Sequence, residues 1–464
     1  MRLVMKFGGT SLGDGQRISN VCKIIESNRA GNEIVVVVSA LSGVTDLLVD
    51  TAKKVSLGEV SEEEIKDFIG ELLERHRTIA KEVIDGEELE PVMIELEMAS
   101  VELEKVLIGI GYVGELTPRS HAYVISFGER MSAPIVCGAL KSRGIKSAWF
   151  TGVEAGIITD SNFERATPLM EHTVKGVREK IQPLLKDTVA VVTGFIAGDL
   201  EGRITTLGRG GSDYTASILG AAIDADEVWI WTDVDGIMTT DPRLVKEAKT
   251  IPVISYIEAM ELAFFGAKVL HPKSIEPAME RGVPVRVKNT FNPAHSGTLI
   301  VNEQEKTEEV VKAVSVMEKV ALVTISGVGM IGVPGVAAKS FTALAEEGVN
   351  ILMISQGSSE VNISFVIERR DLKKAVSSIE ERFKHTGVVR KVEYNKDVAI
   401  IAVIGAGMKG TKGVAARVFT AVAKAGVNVL MIAQGSSEVN ISFVVSEKDS
   451  KKAAQALHRE FIEQ

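Results

Sequence analysis

Several features that would define a function by themselves are scarce or missing in this sequence. Only two of its 464 residues are cysteine, Cys22 and Cys137, and their spacing fits no metal site, so buried free thiols in a reducing compartment are expected. No apolar run is long enough for a signal peptide or a membrane span. The formal charge of −9 lacks the basic excess typical of nucleic-acid-binding proteins. These absences favour a cytoplasmic protein with neither a nucleic acid nor a membrane as partner.

Short β-branched runs alternate with helical periodicity over the first three hundred residues. The strands predicted there are Leu3–Phe7, Ile34–Ser39, Thr188–Phe195 and Glu227–Thr232, and the helices are Ser61–Ile84, Leu89–Ile110 and a third from Pro118 to about Arg143. Such alternation predicts an α/β domain, residues 1–300, whose mostly parallel sheet is covered by helices on both faces. The polar stretch Asn292–Thr307 predicts a linker after it.

The remainder of the chain contains an internal repeat. The segment QGSSEVNISF occurs at Gln356–Phe365 and again at Gln434–Phe443, with a period of 78 residues. Within the surrounding stretches Gly348–Glu368 and Gly426–Ser446, 17 of 21 positions are identical. This self-similarity indicates two copies of one small unit, each with the pattern strand, turn, helix, strand, strand, helix.

A last strand follows the first copy only. Val388–Tyr394 supplies it there, whereas the sequence ends at Gln464 just after the second copy's last helix. The alternating segment Val310–Val316 is therefore expected to complete the second copy's sheet, which would insert the first module within the second. The predicted boundaries are 318–395 for module 1 and 308–317 plus 396–464 for module 2. A simple linker at Val310–Val316 is the alternative.

Both copies carry G-x-G-x-x-G, at Gly327–Gly332 and Gly405–Gly410. A dinucleotide site is rejected because the next strands end without the acidic residue that would bind a ribose, and because the unit is too small for a doubly wound sheet. Backbone amides of such a turn would suit a small anion such as the carboxylate of an amino acid, with Asn350 and Asn428 for its other groups. The glycines otherwise serve only to make tight turns.

Six stretches of the first three hundred residues carry the polar residues of interest, mostly where strands end. They are KFGGTS (Lys6–Ser11), SALSGVT (Ser39–Thr45), SFGER (Ser126–Arg130), TTLGRGGSDYTA (Thr205–Ala216), WTDVDGIMTTDPR (Trp231–Arg243) and FGAKVLHP (Phe265–Pro272). Amides at Gly8 and Gly9 would cradle phosphate oxygens beside the Lys6 charge, and Arg209 between glycines would grip a carboxylate or phosphate. Spacing alone favours a solvated helix face for Glu129 and a helix cap for Asp213.

These motifs, in this order, resemble the aspartokinases of the amino acid kinase family, and the repeat resembles their paired ACT modules. The resemblance implies a three-layer kinase domain followed by two βαββαβ modules. It also implies transfer of the γ-phosphoryl group of ATP, with Mg²⁺, to the side-chain carboxylate of L-aspartate. Because that carboxylate is already ionised at neutral pH, the reaction needs no general base, and none is evident among the motifs.

The resemblance also assigns roles to individual residues. Lys6 and Asp213 would lie closest to the chemistry. Aspartate would be bound by Arg209 at its α-carboxylate and by Glu129 at its ammonium, with Ser39, Thr45, Gly211 and Ser212 completing the pocket. The nucleotide would be contacted by Gly8, Gly9, Thr232, Asp233, Met238, Arg243 and Lys268. Met238 replaces a tyrosine common in the family, so a stacking contact is lost.

Regulation and assembly are implied in the same way. Threonine or lysine would inhibit as a feedback amino acid at sites near Met330, Asn350 and Gln356 and near their counterparts Met408, Asn428 and Gln434. Pairing of ACT modules would give a homodimer or tetramer. No segment long enough for a fused dehydrogenase follows, so one activity is expected. Two alternatives stay open: a family member acting on glutamate, acetylglutamate, carbamate or a nucleotide, and a sensor of amino acids without catalysis.

Overall fold

The structure is a computed structural model that describes residues 1–266, 270–302 and 310–463. Its strands are β1 (Arg2–Phe7), β2 (Glu33–Val38), β3 (Ser147–Phe150), β4 (Ile158–Thr159), β5 (Val189–Thr193), β6 (Ile196–Asp199), β7 (Ile204–Thr206), β8 (Glu227–Thr232), β9 (Val253–Ser255), β10 (Val285–Asn289), β11 (Thr298–Val301), β12 (Ala313–Ser326), β13 (Ile351–Gln356), β14 (Asn362–Glu368), β15 (Lys391–Ile404), β16 (Val429–Ala433) and β17 (Asn440–Ser446).

Helices account for much of the rest of the described chain. They are α1 (Gly15–Arg29), α2 (Val44–Ser56), α3 (Glu62–Val83), α4 (Leu89–Val113), α5 (Pro118–Ile125), α6 (Phe127–Lys141), α7 (Met170–Lys180), α8 (Gly211–Ala222), α9 (Tyr256–Phe264), α10 (Glu276–Arg281), α11 (Val336–Glu346), α12 (Leu372–Phe383), α13 (Val414–Lys424) and α14 (Ser450–Phe461). None of them combines the length and apolarity needed to cross a bilayer.

The chain divides into two compact units. The first contains Met1–Ile237, Pro252–Tyr256 and the described residues from 270 to 302. The second contains Met238–Ile251, the described residues from 257 to 266, and 310–463.

An eight-stranded sheet forms the centre of the first unit, in the order β3-β5-β2-β1-β8-β10-β11-β9. Neighbouring strands run parallel except for the antiparallel pair β10 and β11. Alternate side chains of β1, Leu3, Met5 and Phe7, join one large core with residues of α1, α3, α4 and α6. Val4 is buried on the opposite face, where α8 packs against β1 and β8. Helices thus cover both faces, which confirms the predicted α/β architecture.

Two details of this unit differ from the prediction. The helix expected from Pro118 to about Arg143 is interrupted at Ser126, which gives α5 and α6. The Ser126 hydroxyl donates to the Tyr123 carbonyl at this break. The predicted linker Asn292–Thr307 contains a sheet strand, because Thr298–Val301 pairs with β10. Its end, 303–307, lies outside the described residues.

A single six-stranded antiparallel sheet runs through both repeats in the second unit. Its order is β13-β14-β12-β15-β17-β16. The long strands β12 and β15 each serve both modules: Ala313–Met317 pairs with Ile400–Ile404, and Leu322–Ser326 pairs with Lys391–Asn395. The segment predicted to complete the second module therefore does pair with that module's first strand. Both modules share this one sheet, because the continuous strands β12 and β15 carry the ladder from one module into the next.

Candidate active site

A cavity of about 630 Å³ opens where β1 and β2 end and α8 begins. Polar ends of parallel strands meet there, as in other open α/β sheets. Nine residues predicted from the sequence line it: Lys6, Gly9, Ser39, Thr45, Glu129, Arg209, Gly211, Ser212 and Asp213. Residues separated by more than two hundred positions in the chain, such as Lys6 and Asp213, thus share one cavity of the first unit.

Lys6 and Asp213 form an ion pair across this cavity. Lys6 lies near the end of β1 and Asp213 in the first turn of α8, and their side chains are 12% and 13% exposed. Asp213 is not the helix cap that spacing alone favoured, because Gly210 occupies the N-cap position of α8. The pair fixes an ammonium group at the point where two strands and a helix converge.

Glu129 is the most perturbed acid of the cavity. It lies in the first turn of α6 and is 3% exposed, so the solvated helix face expected from spacing is wrong. Burial raises the pKa of its carboxyl to about 8, although hydrogen bonding from the Ala40 backbone and the charge of Lys6 act in the other direction. One oxygen, Oε2, has no hydrogen-bond partner among the described residues. A cationic donor entering the cavity would satisfy it.

Arg209 lies between two glycines that both adopt positive φ. Gly208 and Gly210 have φ of 73°, a region that other residues adopt only with strain. A side chain at Gly210 would lie 2.8 Å from the His271 Cβ. The resulting turn places exposed Arg209 at the cavity, beside the first turn of α8. The Gly211 N–H at this helix start donates to the Gly208 carbonyl at 2.9 Å. This end of the cavity suits an anion.

The wall opposite is built from the SALSGVT segment, which holds two of the predicted hydroxyls. The Ser132 hydroxyl donates to the Ser39 carbonyl at 2.7 Å and so ties this wall to α6. Thr45 lies in the first turn of α2. A side chain at Gly128 would meet the Ala40 Cβ at 2.7 Å, so glycine in SFGER allows α6 to approach the wall closely.

The KFGG segment brings backbone close to the Lys6 ammonium. A Cβ at Gly8 would lie 3.3 Å from the Lys6 Nζ, and one at Gly9 would lie 3.2 Å from the Ala40 carbonyl oxygen. Glycine at position 8 therefore leaves space beside the ammonium, and glycine at position 9 allows the backbone to approach Ala40 closely. The phosphate cradle expected here from the sequence stays a prediction.

The remaining nucleotide residues of the prediction lie outside this cavity. Thr232 ends β8, and its hydroxyl donates to the exposed Asp233 at 3.2 Å in the first unit. Met238 and Arg243 belong to the second unit, where half-buried Met238 bridges to Thr250 and Arg243 pairs with Asp241 at 2.6 Å. Lys268 lies outside the described residues.

The predicted effector residues occupy two kinds of position in the second unit. Met330 and Met408 are buried in the cores of their modules, whereas Asn350, Gln356, Asn428 and Gln434 are exposed. The turns expected to offer free amides are partly occupied. The Gly332 N–H donates to Glu360, and the Gly410 N–H to Glu438, each at 2.8 Å.

Sequence reasoning missed other residues of the cavity wall. Phe195, Thr10 and Asp46 line it as well. Phe195 has a positive φ of 67°, and a Cβ at Gly211 would lie 2.6 Å from its ring. The only signal was the Gly194–Phe195 pair at the end of the predicted strand Thr188–Phe195. Clusters of three or more His, Cys, Asp or Glu able to hold a metal do not occur in the described part of the chain.

Comparison with known proteins accounts for both parts of this chain. The profile of the Amino acid kinase family matches residues 1–289, and that of the ACT domain matches 323–383 and 401–461. Over 466 residues the chain is 36% identical to bifunctional aspartokinase/homoserine dehydrogenase 1, chloroplastic, of Zea mays, covering 99% of this chain and 50% of that protein. It thus spans about half the length of the bifunctional relatives it matches.

Shorter relatives align over most of their length. Aspartokinase 1, chloroplastic, of Arabidopsis thaliana is 34% identical over 469 residues, with 99% of this chain and 80% of that protein covered. The crystal structures of E. coli aspartokinase III are 30% identical and cover 99% of both chains. Their TM-scores are 0.81 with aspartate and ADP bound (R-state) and 0.83 with lysine and aspartate bound (T-state). The chain therefore belongs to the amino acid kinase family and carries two ACT domains after its kinase domain.

Proposed function

We propose that this chain is an aspartate kinase. It transfers the γ-phosphoryl group of ATP to the side-chain carboxylate of L-aspartate and gives 4-phospho-L-aspartate, the first step in making lysine, threonine and methionine. One observation carries the proposal: a single cavity contains a buried acid with an unpartnered oxygen, an exposed guanidinium and a fixed ammonium. These three groups match the ammonium, the α-carboxylate and the reacting carboxylate of one small amino acid.

Aspartate binds through its two constant groups. Arg209 pairs with the α-carboxylate in the bidentate geometry that guanidinium favours, and Glu129 accepts hydrogen bonds from the ammonium at Oε2. An adjacent positive charge stabilises the ionised carboxylate, so binding lowers the pKa that burial has raised. Ser39, Thr45, Gly211 and Ser212 complete the pocket. The side-chain carboxylate is left directed towards Lys6.

The chemical step then depends on bringing two anions together. An oxygen of the aspartate side chain attacks the γ-phosphorus, and the bond from that phosphorus to the bridging oxygen of ADP breaks. Lys6, oriented by Asp213, stabilises the charge on the transferring group, and amides of Gly8 and Gly9 contact phosphate oxygens. No proton has to be removed, since the attacking carboxylate is ionised at neutral pH.

ATP is proposed to bind beside Lys6, where the space left by Gly8 suits phosphate. Mg²⁺ is proposed to enter bound to the nucleotide, where it would supply charge neutralisation of the phosphates. Thr232, Asp233, Met238, Arg243 and Lys268 are proposed as further nucleotide contacts.

Feedback inhibition by threonine or lysine is proposed for the ACT modules. The exposed amide side chains of Asn350 and Gln356, and of their repeats Asn428 and Gln434, are suitable partners for an amino acid. The lysine-bound structure of E. coli aspartokinase III is a precedent in a similar protein. Met330 and Met408 would contribute by shaping their turns, because their side chains are buried and their backbone N–H groups donate to the Gly327 and Gly405 carbonyls. Assembly into a homodimer or tetramer through these modules is part of the proposal.

Trapping of the acyl phosphate with hydroxylamine tests the function. Aspartate should give the hydroxamate faster than glutamate, acetylglutamate or carbamate at equal concentration. Faster turnover with another acid would show that this acid, and not aspartate, is the substrate. No ATP-dependent turnover with any acid, combined with amino acid binding by calorimetry, would favour a sensor.

A further inference from the structure

Within the second unit, the hairpin Met238–Ile251 is held by the second module. This hairpin closes on itself through the Met238–Thr250 bridge and through the Thr239 N–H, which donates to the Lys249 carbonyl at 2.8 Å. The Val314 N–H of β12 donates to the Thr239 carbonyl at 2.8 Å. The Gln455 amide of α14 donates to the Leu244 carbonyl at 3.2 Å. Two elements of the second module thus contact the hairpin's backbone.

A buried side-chain network completes the attachment. Thr239 is 7% exposed and His458 of α14 is fully buried, and the Thr239 Oγ1 lies 3.0 Å from the His458 Nε2. The other ring nitrogen, Nδ1, lies 2.8 Å from the Glu463 carboxylate. Each ring nitrogen of His458 therefore has a polar partner, a carboxylate at Nδ1 and a hydroxyl at Nε2. The Thr239 oxygen in turn accepts from the Lys249 N–H at 3.0 Å. The side chains of Glu463, His458 and Thr239 are therefore connected in series, and the Thr239 hydroxyl also contacts the hairpin backbone.

Helix α9 is attached to the same module by carboxylates. Fully buried Glu258 accepts from the Ala406 N–H at 2.5 Å and pairs with Lys312 at 3.4 Å. One turn later, Glu261 accepts from the Asn440 side chain. The two stretches that flank β9 in the chain are thus both anchored to the second module.

The first module offers no equivalent of this network. The repeat offset of 78 residues places Glu380 of α12 where α14 has His458, and Glu380 is exposed whereas His458 is buried. Likewise Lys312 corresponds to Arg390, which is exposed and forms no ion pair within the described ranges. The two copies of the repeat therefore differ in the segments that they contact.

We infer that His458 is a positioning residue for nucleotide binding. Through Thr239 it fixes the hairpin that carries Met238 and Arg243, so the second module determines how well that hairpin meets ATP. This inference rests on the proposed kinase function and on the nucleotide role predicted for Met238 and Arg243. His458, a residue of the second ACT module, would thus be a determinant of ATP affinity. The second module would position the hairpin, which the first module does not.

The experiment measures KM for ATP and for aspartate separately in full-length variants. Thr239→Val removes the hydroxyl at constant size, and His458→Leu removes its partner. His458→Leu should raise KM for ATP about tenfold, as expected for losing one buried hydrogen bond, with KM for aspartate and kcat within about twofold. Thr239→Val should raise KM for ATP at least as much, because its hydroxyl also accepts from the Lys249 N–H. The double variant should be no worse than Thr239→Val alone, because that substitution already removes the contact with His458. Thr239→Ser and His458→Gln, which keep hydrogen-bonding groups, should recover much of the affinity.

Glu380→Gln is the matched control, and both KM values should stay unchanged. An unchanged KM for ATP in Thr239→Val, or equal changes in both KM values, would overturn the inference. If His458→Leu fails to fold, as shown by its thermal melting, Thr239→Val decides alone. Absence of turnover in the wild-type chain would instead refute the proposed function, and this inference with it. Normal wild-type turnover with insensitive variants would refute this inference only.

Discussion

Two buried glutamates, one in each unit, show how differently this chain uses the same side chain. Glu129 of the first unit is 3% exposed and borders a cavity, and its Oε2 has no partner among the described residues. Glu258 of the second unit is fully buried. It accepts a hydrogen bond from the Ala406 backbone N–H and pairs with Lys312. One carboxylate is therefore prepared for a partner that the chain itself does not supply. The other already has its partners.

This difference distinguishes a carboxylate that can bind a ligand from a carboxylate that stabilises the fold. Burying a carboxylate without a matched donor costs free energy, and a protein keeps such a group where a ligand compensates for it. A buried carboxylate that is paired holds elements together, and removal of either partner exposes the cost of burying the other. We therefore expect changes at the cavity to alter kinetics and changes at Glu258 to alter stability.

The largest kinetic effect is expected for Lys6→Ala. Removing the ammonium that we propose stabilises the transferring phosphoryl group should lower kcat by about a thousandfold, since one such electrostatic contact has this order of effect. Steady-state assays of ADP release measure it. Circular dichroism and amino acid binding to the ACT modules serve as controls and should match the wild type. A loss of less than about tenfold would remove Lys6 from the chemistry.

Glu258→Ala should give the largest stability effect. The substitution removes the carboxylate that Lys312 and the Ala406 N–H contact, and loss of one partner of a buried pair costs about 3–5 kcal/mol. Urea unfolding of the second unit measures the change, and KM for aspartate in the folded protein should be unaffected. Stability equal to that of the wild type would show that the two buried glutamates are not different in kind.

Glu129→Gln is expected to show the opposite pattern. Loss of the negative charge should raise KM for aspartate about thirtyfold, because the substrate ammonium loses a charged hydrogen-bond acceptor. The unfolding free energy should be unchanged or slightly higher at pH 8, since a neutral amide costs less to bury. Kinetics and unfolding on the same preparations measure both. A destabilised variant with normal KM would assign Glu129 a structural role.

The pH dependence of stability gives the smallest of these effects. The pKa of Glu129 is about 8 in the folded chain against an ordinary value of 4.5, so between these values the folded state retains a proton that the unfolded state has lost. This contribution to stability is complete below about pH 4.5 and is lost as the pH rises through 8, by about 2 kcal/mol between pH 6 and pH 8. Subtracting the unfolding curves of Glu129→Gln from those of the wild type isolates it. A flat difference would contradict the raised pKa.

How much of this could be foreseen varies by feature. Strand ends and the residues that follow them were predictable, because short, continuous β-branched runs mark buried parallel strands, and such strands bring their ends together. The burial of Glu129 could not be predicted from the sequence. Helix α6 is buried on almost every side, so it has no polar face for periodicity to reveal, and its surroundings come from distant helices.

The shared sheet of the modules shows the same division. The repeat revealed two modules, and the spare segment Val310–Val316 pointed to the exchange of strands that the pairing of β12 with β15 shows. That these strands continue through both modules could not be read from the sequence, because register depends on which edges meet. His458 was equally hidden, since its partner Thr239 lies 219 residues away.

The central claim is that a net-acidic chain collects cations, amides and one unsatisfied carboxylate so that aspartate can approach ATP. A crystal structure with aspartate and ADP bound tests it most directly. The account predicts the substrate ammonium within hydrogen-bonding distance of the Glu129 Oε2, the α-carboxylate on Arg209, and the side-chain carboxylate towards Lys6. Aspartate bound elsewhere, or bound here with Glu129 contacting only protein groups, would contradict it.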